Sequence, residues 1–120
     1  MAATALVCDD AAFARDLIGD ALEGAGLIVL ARVGTADAVV TEATARRPDV
    51  ILLDLVLPDR SGLAALEEIR RADPEARVII CTALGERGVT AEALRLGARE
   101  VLVKPVPPTR VIEAVRRVLA

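Results

Sequence analysis

The 120-residue chain has no histidine, tryptophan or tyrosine, and it has one phenylalanine, one lysine and two cysteines. Without histidine, and with Cys8 and Cys81 in no metal-binding spacing, a zinc site would lack its usual ligands. We therefore expect both thiols to be reduced and buried in the core. Because aromatic side chains are nearly absent, valine, leucine, isoleucine and alanine must fill that core.

Strong positive charge and long apolar runs are also absent. The formal net charge is −3, without a cluster of basic residues, so we expect no nucleic-acid binding by this domain. No apolar run approaches the roughly 20 residues that span a bilayer, and no signal-peptide pattern opens the chain. We expect no membrane contact and a cytoplasmic location. A chain of this length fits one domain, which we assign to residues 1–120.

Short β-branched runs alternate with segments of helical length. The continuous apolar character of these runs indicates strands that are covered on both faces. The expected strands are Ala5–Cys8, Leu27–Val33, Val50–Leu53, Val78–Thr82 and Val101–Val103. Glycines, prolines and polar residues mark the ends of the helical segments. The pattern predicts an α/β fold in which five parallel strands alternate with five helices on both faces of the sheet.

The residues at the carboxyl ends of the predicted strands carry the chemistry, because ligands of open α/β sheets bind beyond these ends. The residues found there are Asp9, Asp10, Asp54, Thr82 and Lys104. If the first and third strands are neighbours, about 4.8 Å apart, their carboxylates crowd together and favour a bound cation. Mg²⁺ binds carboxylate, water and phosphate oxygens and is therefore the expected cofactor.

Asp54 is the candidate nucleophile among these residues. A carboxylate can form an acyl phosphate, and Mg²⁺ beside it would neutralise charge on an incoming phosphoryl group. The hydroxyl of Thr82 and the ammonium of Lys104 can hold phosphoryl oxygens, and lysine offers a compact charge that suits a narrow site. Because lysine occurs once in an arginine-rich chain, its place at position 104 indicates a specific role.

These motifs resemble those of response-regulator receiver domains over the whole chain. The acidic pair stands in VCDD, residues 7–10, and the phosphoacceptor motif in LLDLVLPDRSG, residues 52–62, with proline four and glycine eight residues after the aspartate. CTA at 81–83 and VKP at 103–105 resemble the family's Thr-Ala and Lys-Pro steps. The resemblance implies a flavodoxin-like, doubly wound sheet with strand order 2-1-3-4-5, and a cis peptide bond before Pro105.

A receiver domain accepts a phosphoryl group from the phosphohistidine of a histidine kinase, and it acts as a signalling protein rather than as an enzyme. The resemblance implies that Asp54 is the phosphoacceptor and that Thr82 and Lys104 bind the phosphoryl oxygens. The implied Mg²⁺ site comprises Asp10, Asp54 and the backbone carbonyl of Val56, with Asp9 beside them. The missing histidine agrees with a donor on another protein.

Three segments are similar to stand-alone chemotaxis receivers of the CheY type from Gram-positive bacteria and Thermotoga. They are DDAAFAR at 9–15, CTALGE at 81–86 and LVKPVPPTRVIEAV at 102–115. The likeness implies a CheA-type kinase and a flagellar switch protein of the FliM type as partners. The alternative is a receiver domain cut from a DNA-binding response regulator, whose partner would be its own fused output domain.

One position departs from the family pattern, and two others affect the rate at which the phosphoryl group is lost. Val101 stands where relatives carry Tyr or Phe, so coupling to an output face must use smaller movements or a different surface. Val56 and Leu84, two residues after Asp54 and Thr82, are apolar where polar side chains speed loss of the phosphoryl group. We therefore expect slow self-dephosphorylation and include a separate phosphatase among the candidate partners.

Two further interpretations use the same residues. Phosphatases with an aspartyl nucleophile carry a second aspartate two positions later, where this chain has Val56. A degenerate receiver would act without phosphorylation, but the intact acidic pair and Lys104 argue against it. Each site residue alone could be a helix cap or a solvated strand end, and it is their combination that favours the phosphoacceptor.

Overall fold

The computed structural model describes residues 2–120 as five parallel strands that alternate with five helices. The strands are β1 (Thr4–Cys8), β2 (Ile28–Val33), β3 (Val50–Leu53), β4 (Val78–Thr82) and β5 (Glu100–Val103). The helices are α1 (Ala12–Gly24), α2 (Ala36–Arg46), α3 (Gly62–Ala72), α4 (Arg87–Arg95) and α5 (Pro108–Leu119). The strand order β2-β1-β3-β4-β5 confirms the doubly wound, flavodoxin-like sheet.

Local signals in the sequence set the helix ends. The side chains of Thr35 and Ser61 cap α2 and α3 by accepting backbone hydrogen bonds, and Pro108 opens α5. Gly26 and Gly97 follow α1 and α4 with φ of 94° and 103°, a conformation that glycine adopts without strain. Within residues 2–120, no helix is both long enough and apolar enough to span a membrane.

The aliphatic core lies on both faces of the central strands. One face packs against α2, α3 and α4 through side chains such as Val39, Leu66 and Ala93. The other face packs against α1 and α5 through side chains such as Leu22 and Val115. β2 and β5 are only partly covered because each lies at an edge of the sheet. The expectation that all five strands are covered on both faces is therefore wrong for these two.

The strand register brings the expected site residues to one edge of the sheet. Cys8 at the end of β1 pairs with the end of β3, so Asp9 and Asp54 follow as neighbours, and the N–H of Asp54 donates to the carbonyl of Cys8 at 3.0 Å. Thr82 at the end of β4 pairs with the end of β5, and the N–H of Lys104 donates to the carbonyl of Thr82 at 2.8 Å. The peptide bond between Lys104 and the following proline is cis, as expected.

Candidate functional site

One lysine bridges two buried carboxylates at the carboxyl edge of the sheet. The Nζ atom of Lys104 lies 2.5 Å from Oδ2 of Asp9 and 3.0 Å from Oδ2 of Asp54. The side chains of Asp9 and Asp54 are only 3% and 7% exposed, and that of Lys104 is 24% exposed. Lys104 begins at the end of β5 and extends past β4, which a lysine side chain is long enough to do. A single ammonium therefore contacts the carboxylates that follow two strands and balances one of their two charges.

Each of the two carboxylates uses its second oxygen in a local turn. Oδ1 of Asp9 accepts the N–H of Ala11 at 3.0 Å, and Oδ1 of Asp54 accepts the N–H of Val56 at 3.1 Å. Aspartate commonly binds the amide two residues further on in this way. Between residues 2 and 120, no buried side-chain polar atom lacks a hydrogen-bond partner. Complete hydrogen bonding and a shared cation thus offset the cost of burying two carboxylates.

Asp10 adds a third carboxylate, which is exposed to solvent. Carboxylate oxygens of Asp9, Asp10 and Asp54 lie within 4.8 Å of one another. Three carboxylates and one ammonium leave a net charge of about −2 at neutral pH. A divalent cation that prefers oxygen ligands would cancel this charge, and the exposed Asp10 gives it a side from which to enter. The residues present therefore fit Mg²⁺.

Burial and ion pairing act in opposite directions on the pKa of Lys104. Burial alone would lower this pKa, but hydrogen bonds and charge attraction from Asp9 and Asp54 outweigh burial and raise it above its ordinary value. Lys104 therefore stays charged throughout the physiological range. A permanent cation in a partly buried position is well suited to hold an anionic group beside Asp54.

Thr82, Leu84 and Val56 lie near the site and differ in how far they are buried. Thr82 is fully buried, and its Oγ1 accepts the N–H of Leu84 at 3.2 Å. Leu84 is partly buried and packs against the core on the α2, α3 and α4 face. Val56, in contrast, is 49% exposed. Of these two apolar residues, Val56 is therefore the more exposed to solvent.

Gly62 allows α3 to begin directly against the backbone of Asp54. The N–H of Gly62 donates to the carbonyl of Leu55 at 2.9 Å. A Cβ atom at Gly62 would collide with the carbonyl oxygen of Asp54 and with Cα of Leu55. Because these are backbone atoms, they could move aside only if the turn itself changed shape. The glycine eight residues after Asp54 is thus explained by close backbone approach.

The two thiols lie beside the site and stay protonated. Burial raises the pKa of Cys8 to about 12, and the charges of Asp9 and Asp54 add to the rise. Burial also raises the pKa of Cys81 to about 11, although Lys104 partly opposes this. Both cysteines are free and buried, as expected from the sequence. Neither offers a thiolate to a metal ion at neutral pH.

Two residues that support the site were not identified from the sequence. Arg15 donates from Nη1 to the backbone carbonyl of Asp9 at 2.8 Å. Asp59 accepts hydrogen bonds from the backbone amides of Ala36 and Asp37 at 2.8 and 3.0 Å. The partners of Asp59 are 23 and 22 residues away along the chain. No local pattern marks such contacts, because only the tertiary fold brings the partners together.

Known proteins share both the sequence pattern and the fold. The family model described as response regulator receiver domain matches residues 5–116. The chain is 35% identical to the chemotaxis protein CheY of Thermotoga maritima over 94% of each chain, and 36% identical to CheY of Bacillus subtilis over 99% of each. A chain in the crystal structure of the CheX–CheY–BeF₃–Mg²⁺ complex from Borrelia burgdorferi matches with a TM-score of 0.94 at 25% identity, covering 98% of this chain and 89% of that one.

Replacing Lys104 with methionine should destabilise the fold at neutral pH. The change leaves Asp9 and Asp54 buried together without their cation. Breaking a fully buried pair costs about 3–5 kcal/mol, and we expect roughly 2–3 kcal/mol for this partly exposed one. Urea unfolding followed by circular dichroism would measure the free energy of unfolding.

The stability difference between wild type and Lys104→Met should also depend on pH. Because the folded pKa of Lys104 is raised above its ordinary 10.5, its stabilisation is fully present from neutral pH to about pH 10 and declines as the pH rises through the folded pKa. Arg99→Met, at an exposed arginine just before β5, is the control and should change stability by less than about 0.5 kcal/mol. Equal stability of wild type and Lys104→Met at neutral pH, or a difference that grows at alkaline pH, would contradict this account.

Proposed function

The chain belongs to the response regulator receiver family, and we propose that Asp54 is its phosphoacceptor in two-component signalling. The observation that carries the proposal is the shared contact of Lys104 with Asp9 and Asp54, next to a third carboxylate. Asp54 thus stands between a permanent cation and an oxygen-rich pocket. A phosphoryl group needs both of these around its acceptor.

In the proposed step, a carboxylate oxygen of Asp54 attacks the phosphorus of a phosphohistidine on a histidine kinase. The new P–O bond forms as the P–N bond breaks, and the imidazole leaves with the electron pair of that bond. The leaving imidazole is neutral when its other ring nitrogen carries a proton. Because residues 1–120 contain no histidine, the donor histidine lies outside them. The chain is a signalling protein whose own chemistry is limited to this transfer and to slow loss of the phosphoryl group.

The proposed metal ligands are Asp10, Asp54 and the backbone carbonyl of Val56, with Asp9 beside them. Receiver domains bind Mg²⁺ at an acidic pocket, and the cluster of three aspartates supplies such a pocket in this chain. Bound Mg²⁺ would reduce the repulsion between these carboxylates and the incoming phosphoryl group. The relative from Borrelia burgdorferi, solved with Mg²⁺ and BeF₃, supports the assignment.

Lys104 and Thr82 would change partners when Asp54 is phosphorylated. Lys104 would exchange its contact with a carboxylate oxygen for one with a phosphoryl oxygen. Thr82 would turn its hydroxyl away from the amide of Leu84, which it binds in the unphosphorylated chain. Loss of that hydrogen bond would release the β4–α4 loop and shift the population between two loop arrangements.

Val101 occupies the position at which relatives carry an aromatic residue. It is partly buried on β5 and packs against the core on the α2, α3 and α4 face. Close by, Gly85 in the β4–α4 loop lies so near Val103 that a Cβ atom there would come within 2.9 Å of Cγ1. We therefore propose that the loop acts on the output face by small movements against β5 and not through a swinging ring.

Chemotaxis is the setting that we propose for this receiver. Its support is that the CheY relatives are matched over 94–99% of their own length, which also supports treating residues 1–120 as one receiver domain. The proposed partners are a CheA-type kinase, a flagellar switch protein of the FliM type, and a separate phosphatase. A receiver that controls transcription through a fused output domain is the alternative.

Incubation with acetyl phosphate and Mg²⁺ should add the mass of one phosphoryl group to the wild-type chain. Asp54→Asn removes the nucleophile but keeps the shape of the side chain, so it should abolish the addition. Asp20→Asn, at an exposed aspartate that pairs with Arg32, is the control and should be modified like wild type. Intact-protein mass spectrometry measures all three.

Modification of Asp54→Asn, or no modification of wild type, would refute the phosphoacceptor assignment. The same assay with two phosphorylated, labelled kinases distinguishes chemotaxis from transcriptional control. A CheA-type kinase should transfer its phosphoryl group faster than a kinase that serves a transcriptional regulator, and the opposite order would favour the alternative.

Dephosphorylation should be slow because the side chain exposed beside Asp54 is apolar. Val56 cannot hydrogen-bond an attacking water, so Val56→Asn should shorten the lifetime of the phosphorylated chain several-fold. Ile28→Asn changes a similarly exposed apolar residue on β2, 51% exposed, and should leave the lifetime unchanged. Decay of radiolabel after removal of the donor gives these lifetimes. A wild-type half-life of seconds, or equal lifetimes for wild type and Val56→Asn, would show the idea to be wrong.

A further inference from the structure

The loop between β3 and α3 is anchored to a helix far away in the sequence. Both carboxylate oxygens of Asp59 in this loop accept backbone hydrogen bonds, Oδ1 from Ala36 at 2.8 Å and Oδ2 from Asp37 at 3.0 Å. These hydrogen bonds, with that from Asp37 the larger influence, lower the pKa of Asp59 below its ordinary value. Asp59 is therefore an ionised acceptor that holds two consecutive amides at once.

The two amides belong to the first turn of α2, where no carbonyl group of the helix can reach them. The side chain of Thr35, the local cap, accepts the amide of Ala38, at 3.1 Å, and so leaves the amides of Ala36 and Asp37 to Asp59. Asp59 therefore completes the cap of α2 from another loop. Because its two oxygens bind two neighbouring donors, the contact sets the direction of the loop as well as its position.

Arg60 makes a second connection from the same loop. Its guanidinium donates to Oδ1 of Asp37 on α2 at 3.0 Å, and it also forms an ion pair with Glu68 on α3. The loop is thus held against both helices. Contacts at residues 59 and 60 fix the end of the loop that leads into α3, and the strand pairing of β3 fixes the other end.

The chain segment that receives Asp59 also anchors the acidic pair. The N–H of Asp9 donates to the carbonyl of Val33 at 3.1 Å. Arg15, which lies against Gly34, donates to the carbonyl of Asp9 at 2.8 Å. This segment therefore contacts both loops that carry the proposed metal ligands, through Val33 and Gly34 on one side and through Ala36 and Asp37 on the other.

From these contacts we propose that Asp59 is a positioning residue for the metal site, an inference that rests on the proposed function. The backbone of Val56 lies between two fixed points, namely its own amide on Asp54 and the contact of Asp59 with α2. Without Asp59 the loop loses its contact with the backbone of α2 and gains freedom to turn the carbonyl of Val56 away from the carboxylates. The affinity for Mg²⁺ then falls, while the nucleophile itself is unchanged.

Titration with MgCl₂, followed by amide resonances in ¹⁵N-edited NMR spectra, measures this affinity directly. Asp59→Ala should weaken Mg²⁺ binding about tenfold, the lower end of the losses found when a residue that orients a metal ligand is removed. Asp59→Asn keeps one acceptor oxygen, so its affinity for Mg²⁺ should lie between those of wild type and Asp59→Ala. The rate at which acetyl phosphate phosphorylates Asp59→Ala, extrapolated to saturating Mg²⁺, should be close to the wild-type rate.

Thr35→Ala is the matched control, because it removes a cap from the same helix and leaves the contact of Asp59 in place. Both variants should lower the thermal midpoint, but Thr35→Ala should keep the wild-type affinity for Mg²⁺. Equal affinities of wild type and Asp59→Ala, or an equal loss in Thr35→Ala, would overturn the inference alone. Absence of saturable Mg²⁺ binding in wild type would overturn the proposed metal site, and this inference with it.

Discussion

The ion pair that Lys104 forms with Asp9 and Asp54 is the interaction on which the site depends. Two carboxylates from neighbouring strands are buried together, which is tolerable only with a cation between them. That cation comes from β5, two strands away from β3, so the complete strand order is needed to assemble it. A slim ammonium can enter this gap, whereas a planar guanidinium is broader, which accounts for a lysine in a chain that otherwise uses arginine.

The site also carries more negative charge than its own lysine can balance. Lys104 balances one of the two buried carboxylates, so the surplus comprises the other and the exposed Asp10. Charge that is both surplus and accessible attracts a divalent cation, and that cation in turn makes room for the charge of a phosphoryl group. Both loops that hold these carboxylates contact the segment between the end of β2 and the first turn of α2. We therefore propose that the affinity for Mg²⁺ depends on contacts that lie outside the carboxylate cluster.

Much of this arrangement could be predicted from the sequence, because apolar runs and helix punctuation repeat regularly. The predicted strand ends placed the acidic pair, Asp54 and Lys104 at the same edge of the sheet. The strand boundaries were close to those observed, since β2 begins at Ile28, one residue later than expected. The partial exposure of the edge strands does not follow from their apolar runs, since it depends on strand order, which only the family resemblance supplied. Contacts of Asp59 and Arg15 were also missed, because they join side chains to backbone groups of other loops.

A crystal structure with Mg²⁺ and beryllofluoride tests the central role of Lys104 most directly. The account predicts beryllium bonded to a carboxylate oxygen of Asp54, with Nζ of Lys104 hydrogen-bonded to a fluorine atom and no longer bridging Asp9 and Asp54. Beryllofluoride bound at another residue would contradict it. So would a Lys104 that still bridges both carboxylates while beryllofluoride occupies Asp54.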